Sequence, residues 1–370
     1  MKKRRIIKLF LWGGIFIIGI SIVYAFSLYK KVFVKVNLPK IKNLVTSTPT
    51  PTPDPLAPKN VLILGYGGPG HEGAALTDTM IIAHIIPKEK KIFLISIPRD
   101  IWVPIPMKDG NQYFKLNHAF AIGLDQTQYQ NKLPKYQGIA GGGLLAEESV
   151  SLVTGLKVDN FVSMNFDGFK NIVNLLGGAS VNVPYSFVDE YYPLKGKEDD
   201  VCGKTDEEMK LLHATLSGQL LEKEFKCRFE KIEFKKGSQV MDAETALKFV
   251  RSRHSEINGN DFGRSQRQQA LIIAVKNQIL KVGSIPKIIP LLNNIAKNVQ
   301  TDIDIKTAIN LMADNYQLSD IQIKSISLNT DNVLEESQSE DRQYILIPKG
   351  GQDNWKVIND YIQQNLSSPK

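Results

Sequence analysis

Residues 60–66 read NVLILGY, residues 79–86 read TMIIAHII and residues 91–97 read KIFLISI. Each stretch is a largely apolar run of strand length that ends in glycine or proline, which is typical of strands buried on both faces. The links between the runs are short, so the three strands are predicted to be neighbours in one sheet.

The rest of the chain mixes both periodicities. Asp167 and Asp242 are predicted to cap helices, and the charged residues 190–235 are predicted to be a surface excursion. The class is therefore α/β, with a central mixed sheet covered by helices on both faces. Further strands are predicted at residues 161–166, 181–183 and 321–328, and helices at residues 144–156, 168–176, 243–250, 261–281, 288–299, 305–312 and 355–366.

The net charge of +8 is unevenly distributed. Residues 1–59 hold 11 of the 46 Lys and Arg residues and one of the 38 acidic residues, so the remainder has 35 basic against 37 acidic residues. A nearly balanced main domain argues against nucleic-acid binding. With 42% apolar and 23% charged residues, the composition is that of a globular protein.

The amino terminus predicts a membrane anchor. Residues 9–29 contain no charge and are long enough to span a bilayer, after a basic tail at residues 1–8. The dense charges of the tail favour a cytoplasmic amino terminus. Residues 30–58 form a Pro/Thr-rich linker, and residues 59–368 form the domain, which is predicted to lie outside the cell membrane.

Cys202 and Cys227 are the only cysteines. An exported domain would favour a disulfide between them, while two free thiols are the alternative.

The sequence lacks GxSxG, Walker and HExxH motifs, so it predicts no nucleophile of those kinds. Arginines stand out instead. Arg99 and Asp100 follow the third strand, where α/β folds bind ligands. Arg251 and Arg253 follow a helix and would point to the same side of an extended chain.

Arg264 and Gln268 lie on one stripe of a predicted helix, near its amino end, where anions bind. Each arginine cluster alone is equally compatible with a solvated helix or strand end. Together they favour a pyrophosphate ligand, which guanidinium groups bind in a bidentate manner. Asp78, at the entrance of the second strand, suits Mg²⁺ or can be an ordinary turn residue.

Six motifs in this order resemble the LytR-CpsA-Psr family of cell-envelope proteins: VLILG at 61–65, LTDTM at 76–80, SIPRD at 96–100, KLNHA at 115–119, AETALKFVRSR at 243–253 and DFGRSQRQQ at 261–269. The resemblance implies an apolar pocket for a polyprenyl chain. It also implies transfer of a glycopolymer phosphate from a polyprenyl-pyrophosphate carrier to peptidoglycan or another envelope acceptor, with Mg²⁺ or Mn²⁺.

Site residues are also implied by the resemblance. The pyrophosphate would be held by Arg99, Lys115, Asn117, Arg251, Arg253, Arg264 and Gln268, and the metal by Asp78. Asp100 is the nearest candidate base, beside Arg99 and Arg264 as catalytic residues.

The family usually has an aspartate where this chain has Gly67, so Glu72 or His71 is expected to replace it as a metal ligand. Two alternative functions remain open. One is a polyprenyl-pyrophosphate phosphatase, with water as the acceptor. The other is a non-catalytic protein that binds or regulates the envelope.

Overall fold

The computed structural model describes residues 54, 56–71, 73–259, 261–282, 299–303 and 321–367. Their strands are β1 (Lys59–Tyr66), β2 (Thr77–Ile86), β3 (Lys91–Ser96), β4 (Trp102–Met107), β5 (Gly110–Lys115), β6 (Asn160–Asn165), β7 (Ala179–Val183), β8 (Phe187–Pro193), β9 (Phe229–Phe234), β10 (Gly237–Met241), β11 (Val299–Thr301), β12 (Gln322–Ser327), β13 (Leu334–Gln338) and β14 (Tyr344–Pro348). Their α-helices are α1 (His118–Leu124), α2 (Gly138–Thr154), α3 (Phe166–Leu175), α4 (Asp206–Thr215), α5 (Gly218–Glu222), α6 (Ala243–Arg251), α7 (Asp261–Val282) and α8 (Trp355–Ser367).

Two compact units divide these residues. The first unit takes the described residues of Met1–Ile172 and Ser284–Lys370, and the second unit takes those of Val173–Gly283. The predicted tail, the predicted anchor at 9–29 and nearly all of the linker lie outside the described residues. Within the described part of the chain, no helix combines the length and the apolarity needed to cross a bilayer.

The first unit is built on a mixed sheet of six strands in the order β11-β6-β1-β2-β3-β12. The pairs β1–β2, β2–β3 and β6–β11 are antiparallel, whereas β1–β6 and β3–β12 are parallel. The prediction that the three apolar runs are neighbours in one sheet is confirmed, and so is the mixed α/β class.

Both faces of this sheet are buried. Leu62 and Leu64 pair with Ile82 and Met80, and these side chains share a core with residues of α1, α2 and α8. Ile81 is also fully buried although it points to the opposite face. Each such side chain contributes about 1.5–3 kcal/mol on burial. Of the helix predicted at residues 288–299, only Val299 is described, and it begins β11; the helix predicted at 305–312 lies outside the described residues.

Helix α2 begins at Gly138, six residues before its predicted start at residue 144. Its glycines allow close packing: a Cβ on Gly143 would lie 2.1 Å from the Phe161 ring, and one on Gly123 would lie 2.2 Å from the Gly142 backbone. Helices α1 and α2 therefore meet backbone to backbone, which only glycine permits.

The predicted cap of α3 is wrong. The helix begins at Phe166, and Asn165 rather than Asp167 caps it, because the Asn165 Oδ1 accepts a hydrogen bond of 2.8 Å from the Gly168 N–H. An acceptor side chain just before the first turn satisfies an N–H that has no partner within the helix.

The second unit contains two antiparallel ladders, β7–β10 and β8–β9, and helices α4 to α7. The Asp242 cap of α6 is confirmed by its hydrogen bond of 2.7 Å from the Thr245 N–H. Helix α4, in the predicted excursion, has no buried residue, as expected for a surface segment. A disulfide joins Cys202 to Cys227 with their Cα atoms 5.6 Å apart, so the disulfide alternative is the correct one.

Candidate functional site

Four of the predicted site residues form one ion-pair network in the first unit. An Arg99 guanidinium N–H donates to the Asp78 carboxylate, and the Arg99 Nε lies 3.5 Å from the Asp100 Oδ2. The Lys115 ammonium donates to the Asp100 Oδ1 at 2.8 Å. The side chains of Asp78 and Arg99 are 41% and 25% exposed, so an approaching anion or cation can reach them.

The backbone explains why Asp78 reaches this network. Gly65 pairs with Thr79 while Tyr66 pairs with Thr77, so Asp78 is the extra residue of a β-bulge. A bulge turns a side chain away from the regular alternation of a strand, and bulges are common beside active sites. Asp78 thus points to Arg99 although it belongs to a central strand.

Asn117 holds the Arg99 and Asp78 segments together through its backbone. Its N–H donates to the Arg99 carbonyl at 3.1 Å, and its carbonyl accepts from the Thr77 N–H at 3.3 Å. Its buried side-chain oxygen lies 2.9 Å from the His118 Nδ1. The KLNHA motif is therefore a structural link at this site, and a ligand-binding role for Asn117 stays a prediction.

Burial is the main cause that lowers the pKa of His118; the hydrogen bond with the Lys115 backbone opposes it, the Lys115 charge adds to it, and the Asp100 charge opposes it. The imidazole is consequently neutral at pH 7 and adds no charge to the network. The two carboxylates and two cations of the network balance each other.

In the second unit, Arg251 and Arg253 lie on either side of a buried serine. Helix α6 ends at Arg251, and Ser252 has an extended conformation (φ −50°, ψ 136°). Ser252 is buried, whereas the arginines on either side of it are half-buried. That both arginine side chains point to the same side of the chain stays a prediction.

Asp189 holds this segment in place. Its fully buried carboxylate accepts hydrogen bonds from the Ser252 hydroxyl (2.6 Å), the Arg253 N–H (3.1 Å) and the His254 N–H (3.1 Å). A buried carboxylate is tolerated because several donors replace its hydration.

Arg267 holds the other side of Ser252. Its fully buried guanidinium donates to the Ser252 carbonyl (2.5 Å), the Asn258 carbonyl (3.0 Å) and the Tyr185 hydroxyl (2.8 Å). It also lies 4.7 Å from the centre of the Phe187 ring. Burial lowers the pKa of Arg267, while Tyr185 and Asp189 act in the opposite direction. This arginine anchors the segment of residues 251–254 to helix α7.

No role for Asp189 or Arg267 was predicted from the sequence. One signal for Asp189 was available. Phe187 and Asp189 are two positions apart on β8, so they lie on the same face of the strand, and both are buried. An acidic residue at an inward strand position predicts a buried hydrogen-bonded carboxylate.

Arg264 and Gln268 lie one turn apart on α7, which begins at Asp261 as predicted. Arg264 is 6% exposed and Gln268 is half-buried. Gly263 is required in the first turn because a Cβ there would lie 1.9 Å from the Asn258 carbonyl oxygen. The glycine of the DFGR motif therefore lets the chain around Asn258 pass close to the start of α7.

Residues 30–352 match the family model described as LytR_cpsA_psr family. The chain belongs to the LytR_cpsA_psr family. The resemblance of its six motifs is thus confirmed.

Several relatives carry transferase names. Polyisoprenyl-teichoic acid--peptidoglycan teichoic acid transferase TagU of Enterococcus faecalis is 27% identical over 248 residues, which are 66% of this chain and 62% of that protein. TagU of Bacillus licheniformis is 26% identical over 312 residues, or 82% of this chain and 80% of that protein. The alignments span less than two thirds of the first relatives, 62% for the Enterococcus protein and 52% for Bacillus subtilis TagV.

Solved structures show the same fold. B. subtilis TagV superposes with a TM-score of 0.53 at 23% identity and covers 85% of this chain and 99% of its own. TagT bound to LI-WTA superposes with a TM-score of 0.53 at 22% identity, over 91% of this chain and 100% of its own.

His71, one of the two expected replacement ligands, lies against Gly67. A Cβ on Gly67 would be 2.9 Å from the His71 Cβ, and the His71 ring contacts Phe166 edge-on at 5.1 Å. His71 therefore fills the space where a side chain at position 67 would begin. Glu72, the other expected replacement, lies outside the described residues.

Among the described residues, one group of three potential metal ligands is close enough to share an ion: Asp200, Cys202 and Cys227. Its two sulfur atoms are joined in the disulfide, so it does not suit a metal. The exposed carboxylate of Asp78, by contrast, fits Mg²⁺, which takes one or two carboxylates and completes its shell with phosphate oxygens and water.

Proposed function

We propose that this chain is an extracytoplasmic phosphotransferase. It would move a glycopolymer phosphate from a polyprenyl-pyrophosphate carrier to peptidoglycan or another envelope acceptor. The observation that carries the proposal is the ion-pair network of Arg99, Asp78, Asp100 and Lys115 next to the end of β3, which a ligand can reach at Asp78 and Arg99. The names of the TagU relatives and the TagT complex with LI-WTA support the substrate class.

The reaction is phosphoryl transfer. A sugar hydroxyl of the acceptor attacks the phosphorus that bears the glycan, the bond from this phosphorus to the bridging oxygen breaks, and polyprenyl phosphate leaves. The hydroxyl proton passes to the Asp100 carboxylate, which Lys115 and Arg99 hold in place. Catalysis here rests on positioning and charge neutralisation, which needs no nucleophilic side chain.

Arginines of both units take part in this proposal. Arg99 would bind the pyrophosphate from the first unit, and Arg251, Arg253, Arg264 and Gln268 from the second. Asp189 and Arg267 hold the segment on which Arg251 and Arg253 lie, which supports a fixed place for these two arginines.

Mg²⁺ or Mn²⁺ would be held by Asp78, with Glu72 or His71 as a second ligand. When bound, the ion would neutralise charge on the phosphate oxygens. A phosphate bound at Arg99 would compete with Asp78 for the guanidinium.

The proposal includes a membrane anchor at residues 9–29, a cytoplasmic amino terminus and a catalytic domain outside the membrane. The Cys202–Cys227 disulfide supports this location because disulfides persist in oxidising compartments. A polyprenyl chain would enter an apolar pocket of the domain.

The test uses the full chain in detergent with a polyprenyl-pyrophosphate-linked disaccharide and a peptidoglycan acceptor. The expected product is glycan phosphate joined to the acceptor, with release of polyprenyl phosphate. Arg99→Ala should lower kcat/KM by about 100-fold or more, as loss of a transition-state donor does. Lys356→Ala, an exposed change on α8, should not lower it.

Two results would contradict the transferase proposal. Release of free glycan phosphate at the same rate with and without acceptor would identify a phosphatase. No turnover by the wild type, together with binding to cell wall that Arg99→Ala leaves intact, would identify a non-catalytic envelope protein.

A further inference from the structure

Two aromatic rings stack on the outer side of the β4–β5 hairpin. The ring centres of Trp102 and Tyr113 are 6.2 Å apart and their planes differ by 22°. Both side chains are partly exposed. The hairpin was not predicted from the sequence, since Pro104 and Pro106 are unusual inside a strand.

These rings are not part of the core. Val103, Ile105 and Met107 point inward from β4 and are buried, whereas Trp102, Pro104 and Pro106 point outward. Neither Trp102 nor Tyr113 belongs to, or packs against, the main hydrophobic cluster of the described residues. A stacked pair of large rings that contributes nothing to that core is available for a ligand.

The rings continue the face that begins at the Arg99 network. Trp102 is the first residue of β4 and points outward from the hairpin. Its cross-strand partner is Lys115, whose ammonium donates to the Asp100 carboxylate. Directly paired residues of a ladder lie on the same face with Cβ atoms about 4.5–5.5 Å apart, so the rings border the Lys115 side of the network.

Polar groups border the aromatic pair. The Tyr113 hydroxyl donates to the Asp353 carboxylate at 2.5 Å, and Gln352 also hydrogen-bonds to this hydroxyl. Asp353 is exposed and has a left-handed backbone (φ 65°) just before α8. A fixed carboxylate and an amide beside stacked rings provide the acceptors and donors that sugar hydroxyl groups need.

We propose that Trp102 and Tyr113 form a platform for the first sugar ring of the donor, the hexose or hexosamine joined to the phosphate at Arg99. The apolar C–H face of a pyranose packs against an aromatic face, while its hydroxyl groups reach Asp353 and Gln352. The inference rests on the proposed function, because it takes Arg99 as the site of the donor phosphate. Lys115, the cross-strand partner of Trp102, is one of the residues that would hold the donor pyrophosphate, and this assigns the platform to the donor rather than the acceptor.

The test compares two probes that bind to the full chain in detergent micelles: farnesyl pyrophosphate and farnesyl-pyrophosphoryl-N-acetylglucosamine. Trp102→Ala should weaken binding of the sugar-bearing probe at least about tenfold and leave that of the sugar-free probe within about twofold, since one stacking contact is lost. Trp102→Phe should retain most of the affinity. Tyr344→Ala, which removes a different exposed aromatic side chain, should change neither probe.

An equal loss for both probes, or no loss for either, would overturn the platform. A higher KM for a muropeptide acceptor without a change for the donor probe would assign the rings to the acceptor and also overturn it. Arg99→Ala separates this inference from the proposed function, because it should weaken both probes. If Arg99→Ala weakens neither probe, the donor-phosphate site itself is wrong, whereas an Arg99 effect without a Trp102 effect removes only the platform.

Discussion

The buried carboxylate of Asp189 accepts a hydrogen bond of 2.6 Å from the hydroxyl of Ser252, 63 residues away in the chain. The same oxygen accepts from the next two backbone N–H groups. This contact sets the conformation of the segment on which Arg251 and Arg253 lie.

Asp189→Asn is expected to destabilise the protein and weaken pyrophosphate binding. The carboxamide has one oxygen and one N–H₂ group, so donors now satisfied by Asp189 would lose a partner, at a cost of about 1–3 kcal/mol. Urea unfolding and titration with geranylgeranyl pyrophosphate measure the two effects. Asp242→Asn, at the other end of α6, is the matched control and should cost little, because Asn also caps helices well. Equal stability of both variants would contradict the assignment.

Arg267→Lys is expected to lower the free energy of unfolding by about 3 kcal/mol or more, because removal of one partner from a buried charged network is costly. A single ammonium group cannot reproduce the separate contacts to Ser252, Asn258 and Tyr185. Thermal or urea unfolding measures the loss. Arg342→Lys, an exposed change, serves as the control. A loss no larger than that of the control would show that the network is dispensable.

Asp78 and Arg99 are expected to change metal binding in opposite directions. Without substrate, Asp78→Asn should weaken Mn²⁺ binding at least about tenfold, since a carboxylate ligand is lost. Arg99→Ala should strengthen it, because the guanidinium no longer competes for the carboxylate. Electron paramagnetic resonance of Mn²⁺ measures both affinities, and Asp360→Asn on the surface is the control. Changes in the same direction would exclude Asp78 as the ligand.

Glu147 is expected to make stability depend on pH. Burial is the main cause that raises the pKa of Glu147 from 4.5 to about 9. The charge of Asp302 and the hydrogen bond with Asp302 are the next causes, and Glu148 and Asp159 add to the effect. The folded state therefore keeps a proton that the unfolded state releases above its lower pKa. Stability from this group is complete below about pH 4.5 and is lost as the pH rises towards 9, by at most about 1.4 kcal/mol per pH unit.

Glu147→Gln should flatten this dependence between pH 5 and 9, because the amide can still donate to Asp302 but does not titrate. Unfolding in urea across this pH range measures the slope. Glu340→Gln, on the surface, should leave the slope as it is in the wild type. The same slope in Glu147→Gln and wild type would show that another group is responsible.

Elements that depend on neighbouring residues were predicted more closely than contacts between residues that are distant in the chain. The apolar runs at β1, β2 and β3 and the helix at α7 were predicted within a few residues, because their periodicity is local. The β4–β5 hairpin was not predicted because prolines are unusual inside a strand, although β4 alternates regularly between inward and outward residues. The Asp167 cap was misassigned since Asn165, two residues earlier, had the better position for the first turn.

The amino-acid sequence by itself determined the strands β1, β2 and β3 and the helix α7, and it identified arginines 99, 251, 253 and 264 by their motifs. It did so because strand and helix periods and family motifs are properties of neighbouring residues. Only the tertiary structure decided that Asp78 meets Arg99, that Asp189 and Arg267 enclose Ser252, and that Trp102 stacks on Tyr113. These contacts join residues that lie 11 to 63 positions apart, and a hydrogen bond or ring contact over such a separation depends on how the whole chain packs.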